Sequence, residues 1–184
     1  MWKKMLLSCM AVSCFWGSFA EPIAAEPVQA EVNDQVEIVG EVFNGHRYAV
    51  IDEGMTWHEA EQYCKRRNGH LAYIKSEDVQ KFLEELLMLT GTKNSYWIGG
   101  EQSSLRGDKW SWLDGTPIEG YTNWAKGQPD NIRETKLMLY RNINLANKET
   151  KLGEWNDLAP EGVYKDEVFF GVHNFGLICE WDHP

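Results

Sequence analysis

Apolar positions in this chain change their period between the first and second halves. Up to residue 91 they recur at helical spacing; beyond residue 95 they fall into short runs and alternations. Thr56-Trp57-His58-Glu59 is a capping box, in which Thr56 and Glu59 can each satisfy an amide left open at a helix start. Trp57, Ala60, Tyr63 and Cys64 follow at core-facing spacing, and Asn68-Gly69 supplies a stop, so a first helix is expected over residues 56–68. Ser76 is positioned to cap a second helix, with Glu77 and Asp78 favourable in its first turn. Val79, Phe82, Leu83, Leu86 and Leu87 make its apolar stripe, which reads as core rather than a partner groove, and Gly91 ends it. Strand-type residues occupy 46–51, 71–74, 96–100, 109–113, 137–140, 152–155 and 177–181, with Asp114-Gly115 as a turn. Helices early and strands late argue for an α+β fold rather than a doubly wound sheet.

One stretch breaks the pattern. Between Leu113 and Leu137 there is little regular periodicity, and a long loop in a compact domain is usually functional or disordered. It contains Gly127-Gln128-Pro129-Asp130-Asn131-Ile132-Arg133-Glu134, and Trp155-Asn156-Asp157 follows later. Gln128, Asp130, Glu134, Asn156 and Asp157 bring oxygen donors in two short clusters. A hard cation such as calcium takes roughly six to eight oxygens from carboxylates, amides and water. A cis bond before Pro129, the residue type at which it is readily reached, would turn the flanking side chains to one side of the loop. By itself Gln-Pro-Asp-Asn is also ordinary turn chemistry, since Pro, Asp and Asn all favour turns.

Composition narrows the function. The 184 residues suit one domain plus extras. Nine tryptophans indicate a core or binding surface built on large rings, and the formal charge of −10 disfavours nucleic acid as a partner. Residues 1–20 read as a secretory signal: Lys3 and Lys4 begin it, an apolar run follows, and Ser18-Phe19-Ala20 offers small residues for cleavage. The run is too short for a stable membrane span. Ala11-Val12-Ser13-Cys14 is a poor lipoprotein box, which leaves a lipid anchor on Cys14 open. Residues 21–37 read as a flexible leader and 38–184 as the domain. Cleavage after Ala20 leaves Cys64 and Cys179, which in an exported chain most simply pair. The expected location is therefore secreted, periplasmic or cell-surface.

Other chemistry finds little support. No Gly-x-Ser-x-Gly or His-Glu-x-x-His motif is present, and an enzyme is not expected. His58 and His70 have no partner at ligand spacing and read as structural or surface residues. Arg106-Gly107-Asp108 reads as a turn. Trp124 and Trp155 could stack on sugars but are expected to pack beneath the loops.

Taken together, the pieces resemble a C-type lectin-like domain over residues 41–182. The resemblance rests on the helix bearing Cys64, Trp97-Ile98-Gly99-Gly100, Trp110-Ser111-Trp112-Leu113-Asp114-Gly115 and Tyr121-Thr122-Asn123-Trp124. It continues through the Gln-Pro-Asp stretch, Trp155-Asn156-Asp157 and Ile178-Cys179-Glu180. With the export signal it suggests a bacterial member. It implies two helices, small antiparallel sheets, a Cys64–Cys179 disulfide and a calcium site at Gln128, Asp130, Glu134, Asn156 and Asp157. In the family these side chains also bind the sugar hydroxyls that complete the calcium sphere. The Gln-Pro-Asp order implies galactose-type sugars over mannose-type, with Ile132 where an aromatic platform would be sought. The chain departs from the family in lacking a second disulfide, in a short loop between Asp130 and Glu134, in Asn131 where auxiliary calcium sites often have Asp, and in a long segment over residues 160–174. Two functions therefore stand: a calcium-dependent carbohydrate-binding module, and a calcium-independent protein-interaction domain on the same fold.

Overall fold

The computed structural model describes residues 38–102, 109–130, 134–141, 151–162 and 171–183. The signal, the leader, Arg106-Gly107-Asp108, Asn131, Ile132 and much of the 160–174 segment lie outside them. The elements run β1 (Glu41–Phe43), β2 (His46–Ile51), α1 (Trp57–Lys65), β3 (His70–Leu71), α2 (Glu77–Thr90), β4 (Ser95–Gln102), β5 (Trp110–Trp112), β6 (Lys136–Tyr140) and β7 (Trp155–Leu158). A 3-10 turn at Val172–Asn174 leads into β8 (Phe175–Trp181). Among the described residues eight strands share one sheet in the order β1-β2-β8-β4-β6-β7, with β3 also on β8 and β5 also on β4. All pairs are antiparallel except β4 with β8. This is the α+β arrangement that the order of the apolar periods implied.

Local rules account for the two helices. Thr56 Oγ1 accepts from the Glu59 amide and the Glu59 carboxylate accepts from the Thr56 amide, which completes the capping box. Ser76 Oγ accepts from the Val79 amide at 3.3 Å. Each helix buries one stripe. Trp57, Ala60 and Cys64 of α1 face Leu71, Trp97, Leu177 and Trp181. Leu83, Leu86 and Leu87 of α2 join Tyr48, Ile74, Tyr96, Ile98, Leu139 and Trp155. Cys64 bonds to Cys179 with Cα atoms 5.6 Å apart, tying α1 to β8. The β1–β2 hairpin turns at Asn44-Gly45, both at positive φ, as a tight hairpin turn requires.

Three expectations need correction. The strand expected over residues 152–155 starts only at Trp155. Gly153, at φ 81°, is in the turn before it, and a Cβ there would collide with the Glu84 carboxylate. Asn156 and Asp157 lie inside the strand, and their polarity hides its buried character from a hydropathy reading. The strand expected over 71–74 shrinks to His70–Leu71. Ala72 instead donates its N–H to Ile178 O and accepts from the Gly99 N–H, and Tyr73 N–H donates to a Glu180 carboxylate oxygen. Finally, Val79 and Phe82 are only partly buried on α2, whereas polar Gln80 is buried. The Gln80 side chain donates to Gly153 O and Glu84 and accepts from Trp155 Nε1, so the helix turns toward β7.

Candidate functional site

The segment between β5 and β6 is held on β7 by a few backbone bonds. Trp155 N–H donates to Asn123 O at 2.7 Å and Ala125 N–H to Trp155 O at 2.8 Å. Gln128 N–H closes a turn on Ala125 O, after Gly127 at φ 84°. On the return, Thr135 N–H donates to Leu158 O and Gln102 N–H to Thr135 O. Both ends of the loop are thus anchored beside Trp155-Asn156-Asp157-Leu158. Beneath it Trp124 and Trp155 lie 5.8 Å apart in edge-on contact, and Trp110 packs 5.3 Å from Trp124. Trp155 is fully buried, so it serves the core rather than a sugar-stacking surface.

This anchoring gathers three of the five expected ligands. Carboxylate oxygens of Asp130, Glu134 and Asp157 all lie within 4.8 Å of one another. The short loop therefore does not keep Glu134 from the other two. Gln128 adjoins them, since the Asp130 amide donates to Gln128 Oε1 at 2.9 Å and to Asp157 Oδ1 at 3.1 Å. The Gln128–Pro129 bond is cis. Asn156 is next to Asp157 on β7, and its Oδ1 is buried with no hydrogen-bond partner among the described residues.

Electrostatics gives this cluster its meaning. Glu134 and Asp157 are buried, at 2% and 0% exposure, and Asp130 is half-buried. Two carboxylates no more than 4.8 Å apart repel by at least about 3 kcal/mol at an effective dielectric near 20. A divalent cation would reverse the sign of that term. Every donor here is an oxygen, from three carboxylates and two amides, which suits calcium rather than a metal that prefers nitrogen or sulfur. The buried, unpartnered Asn156 Oδ1 fits the same ion, because a buried acceptor without a partner is otherwise costly.

A second cluster lies elsewhere on the sheet, separated from β7 by β4 and β6. His46, Glu180 and Asp182 place ligand atoms within 4.8 Å of one another, and His70 Nε2 is 3.3 Å from Asp182 Oδ1. His70, expected to be structural or on the surface, is partly buried and meets Asp182. Its partners come from the far end of the domain through β3–β8 pairing, which local spacing does not reveal. His58 is on the surface as expected. Burial pushes the Glu180 carboxyl above its ordinary range, partly offset by the Tyr73 amide and the nearby His70, Tyr48 and His46. Burial likewise raises the Tyr48 and Tyr73 hydroxyls. Burial also disfavours the Asp114 carboxylate, but bonds from Lys75 and Thr116 outweigh this and hold its pKa at about 2.

Known proteins share this architecture. The Lectin C-type domain family matches residues 53–161. The mouse "C-type lectin domain family 4 member F" is 31% identical over 150 residues, which span 78% of this chain and 25% of that protein. Human "Asialoglycoprotein receptor 2" is 32% identical over 137 residues, 74% of this chain and 37% of that protein. This chain therefore spans a quarter to somewhat over a third of those relatives. The expectation of a bacterial source gains nothing from them, since both are mammalian. The solved "Mouse Scavenger Receptor C-type Lectin carbohydrate-recognition domain" superposes with a TM-score of 0.59 at 27% identity, covering 79% of this chain and 96% of that one. By family match and by fold alike, the chain belongs to the C-type lectin domain family.

Proposed function

We propose that this domain is a calcium-dependent carbohydrate-binding module, with Gln128, Asp130, Glu134, Asn156 and Asp157 holding the ion. The observation that carries the reading is the convergence of three carboxylates, two of them buried, beside the unpartnered Asn156 Oδ1. Calcium, when bound, supplies a centre on which two neighbouring sugar hydroxyls can complete the coordination. The chain's own residues then set orientation. The Gln128 amide nitrogen can donate to a hydroxyl oxygen, whereas the Asp130 and Glu134 carboxylates can only accept. The Asp130 amide fixes Gln128 through its oxygen, which leaves the NH2 group for a ligand. By resemblance, this Gln-Pro-Asp order suits galactose-type sugars. With no aromatic platform assigned, each site should be weak, and useful avidity should need several copies.

Residues 1–20 are proposed as an export signal, 21–37 as a leader and 38–184 as the domain, giving a secreted or surface-held protein. The disulfide fits an oxidising compartment. No helix among the described residues is long and apolar enough to cross a membrane. Carbohydrate or glycoconjugate is the proposed partner, and the charge of −10 argues against nucleic acid.

One observation favours the other reading, a calcium-independent protein-binding domain. The Asp130 amide already links Gln128 to Asp157 without an ion, so the loop can close by itself. Calorimetric calcium titration, followed by a glycan array with calcium and with chelator, separates the two. Chelator-sensitive binding to galactose-type glycans is expected. Absence of any calcium heat would overturn the lectin reading; chelator-sensitive binding to mannose alone would overturn the galactose assignment.

A further inference from the structure

The His46–Glu180 cluster lies where β8 is flanked by β2 and β3. Tyr48 pairs with Glu180 across β2–β8, and His70 pairs with Glu180 across β3–β8. This register draws two imidazoles and two carboxylates to one cavity of about 410 Å³, whose wall also includes Asn44, Tyr73 and Lys75. Lys75 is already engaged by Asp114 at 2.6 Å. The cavity's free chemistry is therefore that of the histidines and the Glu180 and Asp182 carboxylates.

Donor geometry narrows the ligand. His70 Nδ1 is 2.9 Å from Leu71 O. A carbonyl only accepts, so that nitrogen carries the hydrogen, while Nε2 is in hydrogen-bond contact with Asp182 Oδ1 at 3.3 Å and orients that carboxylate. On the other flank, His46 Nδ1 is 3.0 Å from Glu180 Oε1 and 3.6 Å from Asp182 Oδ1. Despite that closeness it is buried and makes no hydrogen bond among the described residues. Glu180 is itself oriented, accepting from the Tyr48 hydroxyl at 3.1 Å and the Tyr73 amide at 2.7 Å. Four tetrahedral bonds of about 2.0–2.1 Å would set donors roughly 3.3 Å apart. His46 Nδ1 lies 3.0 Å from Glu180 Oε1 and 3.6 Å from Asp182 Oδ1, and the ligand atoms of these three residues all lie within 4.8 Å of one another, so three of the four corners are in place.

We propose that His46, Glu180 and Asp182 form a second, independent metal site, for one zinc-class ion, with the fourth position open to water. An imidazole nitrogen with two carboxylates suits a borderline metal, in contrast to the all-oxygen set beside β7. The site ties the end of β8 to β2, and it does not depend on calcium or sugar binding.

The test is a zinc titration of the chelator-treated, disulfide-intact protein, without a polyhistidine tag, in saturating calcium. Cobalt(II) serves as the spectroscopic probe. One equivalent of zinc should bind, and cobalt should give the intense visible bands of a four-coordinate site. His46→Ala and Asp182→Ala should each weaken zinc binding by more than about tenfold, the loss that even an outer-shell change can cause. Circular dichroism checks that each variant is folded. Asp157→Asn, in the other cluster, and His183→Ala, beyond the strand, should leave zinc affinity unchanged. The proposal is overturned if the wild type binds no zinc up to millimolar, or if folded His46→Ala binds it as well as the wild type.

Discussion

The two halves of this domain are held together by different means. In the half built on α1, β2 and β8 most of the burial is apolar and gathers around one covalent bond, with Glu180 its one buried carboxylate among the described residues. Trp57, Ala60, Leu71, Leu177 and Trp181 close around Cys64–Cys179. In the half built on β6, β7 and the segment between β5 and β6, carboxylates and amides are buried next to tryptophans. There the backbone is positioned bond by bond, through Ala125 to Trp155, Asp130 to Asp157 and Thr135 to Leu158. Apolar burial is non-directional and tolerates shifts, whereas a hydrogen bond fails steeply with misalignment. A robust half thus presents a half whose geometry is specified but whose charge is unbalanced without a cation.

The largest expected effect tests the robust half. Cys64→Ser with Cys179→Ser should lower unfolding free energy by about 4–5 kcal/mol, because the bridge closes a sequence separation of 115 residues. Denaturant unfolding measures it. A loss under about 1 kcal/mol would mean that apolar packing alone carries this half, given the loop-entropy estimate.

Next comes the charge imbalance of the other half. Calcium at a hundred times its Kd should add about 2.7 kcal/mol to stability by mass action. Asp157→Asn should abolish that gain and the matching Tm rise in thermal scans. The amide keeps an oxygen for the Asp130 N–H, so the loop stays closed, and the calcium-free variant should melt no lower than the calcium-free wild type. A lower Tm without calcium would show that the carboxylate is structural rather than a ligand.

A smaller effect probes the junction of the halves. Trp155→Phe removes the 2.8 Å bond to Gln80 Oε1 and leaves that buried oxygen without its donor. The cost should be about 1–3 kcal/mol, read from chemical denaturation, with a weakened calcium response if α2 helps position β7. An unchanged calcium affinity would place that positioning in the backbone bonds alone. The smallest is Thr56→Ala, which deletes the α1 cap and should cost about 1 kcal/mol while leaving calcium and sugar binding intact. A measurable loss of binding would show that the two halves are coupled.

Much of this was legible from the residues. Both helices, their caps and most strands follow from spacing, since a helix or strand must present its apolar residues at its own period. The Gln-Pro-Asp and Trp-Asn-Asp stretches stood out because they cluster oxygen donors, the first within a long segment of little regular periodicity. Less legible were β7, whose Asn156 and Asp157 look like loop although they are buried, and Gln80, whose burial depends on partners far along the chain. The pairing of His46 and His70 with Glu180 and Asp182 was invisible for the same reason.

Local sequence determined which segments are helical, where they start, and which side chains carry oxygen donors. Only the tertiary structure decided which of those donors meet. Register along β8 brings residues from the start and end of the domain to one cavity, and the anchors at Ala125 and Thr135 bring Glu134 to Asp130 and Asp157. Periodicity is encoded within a few residues, whereas such meetings depend on strand pairings that no short stretch specifies.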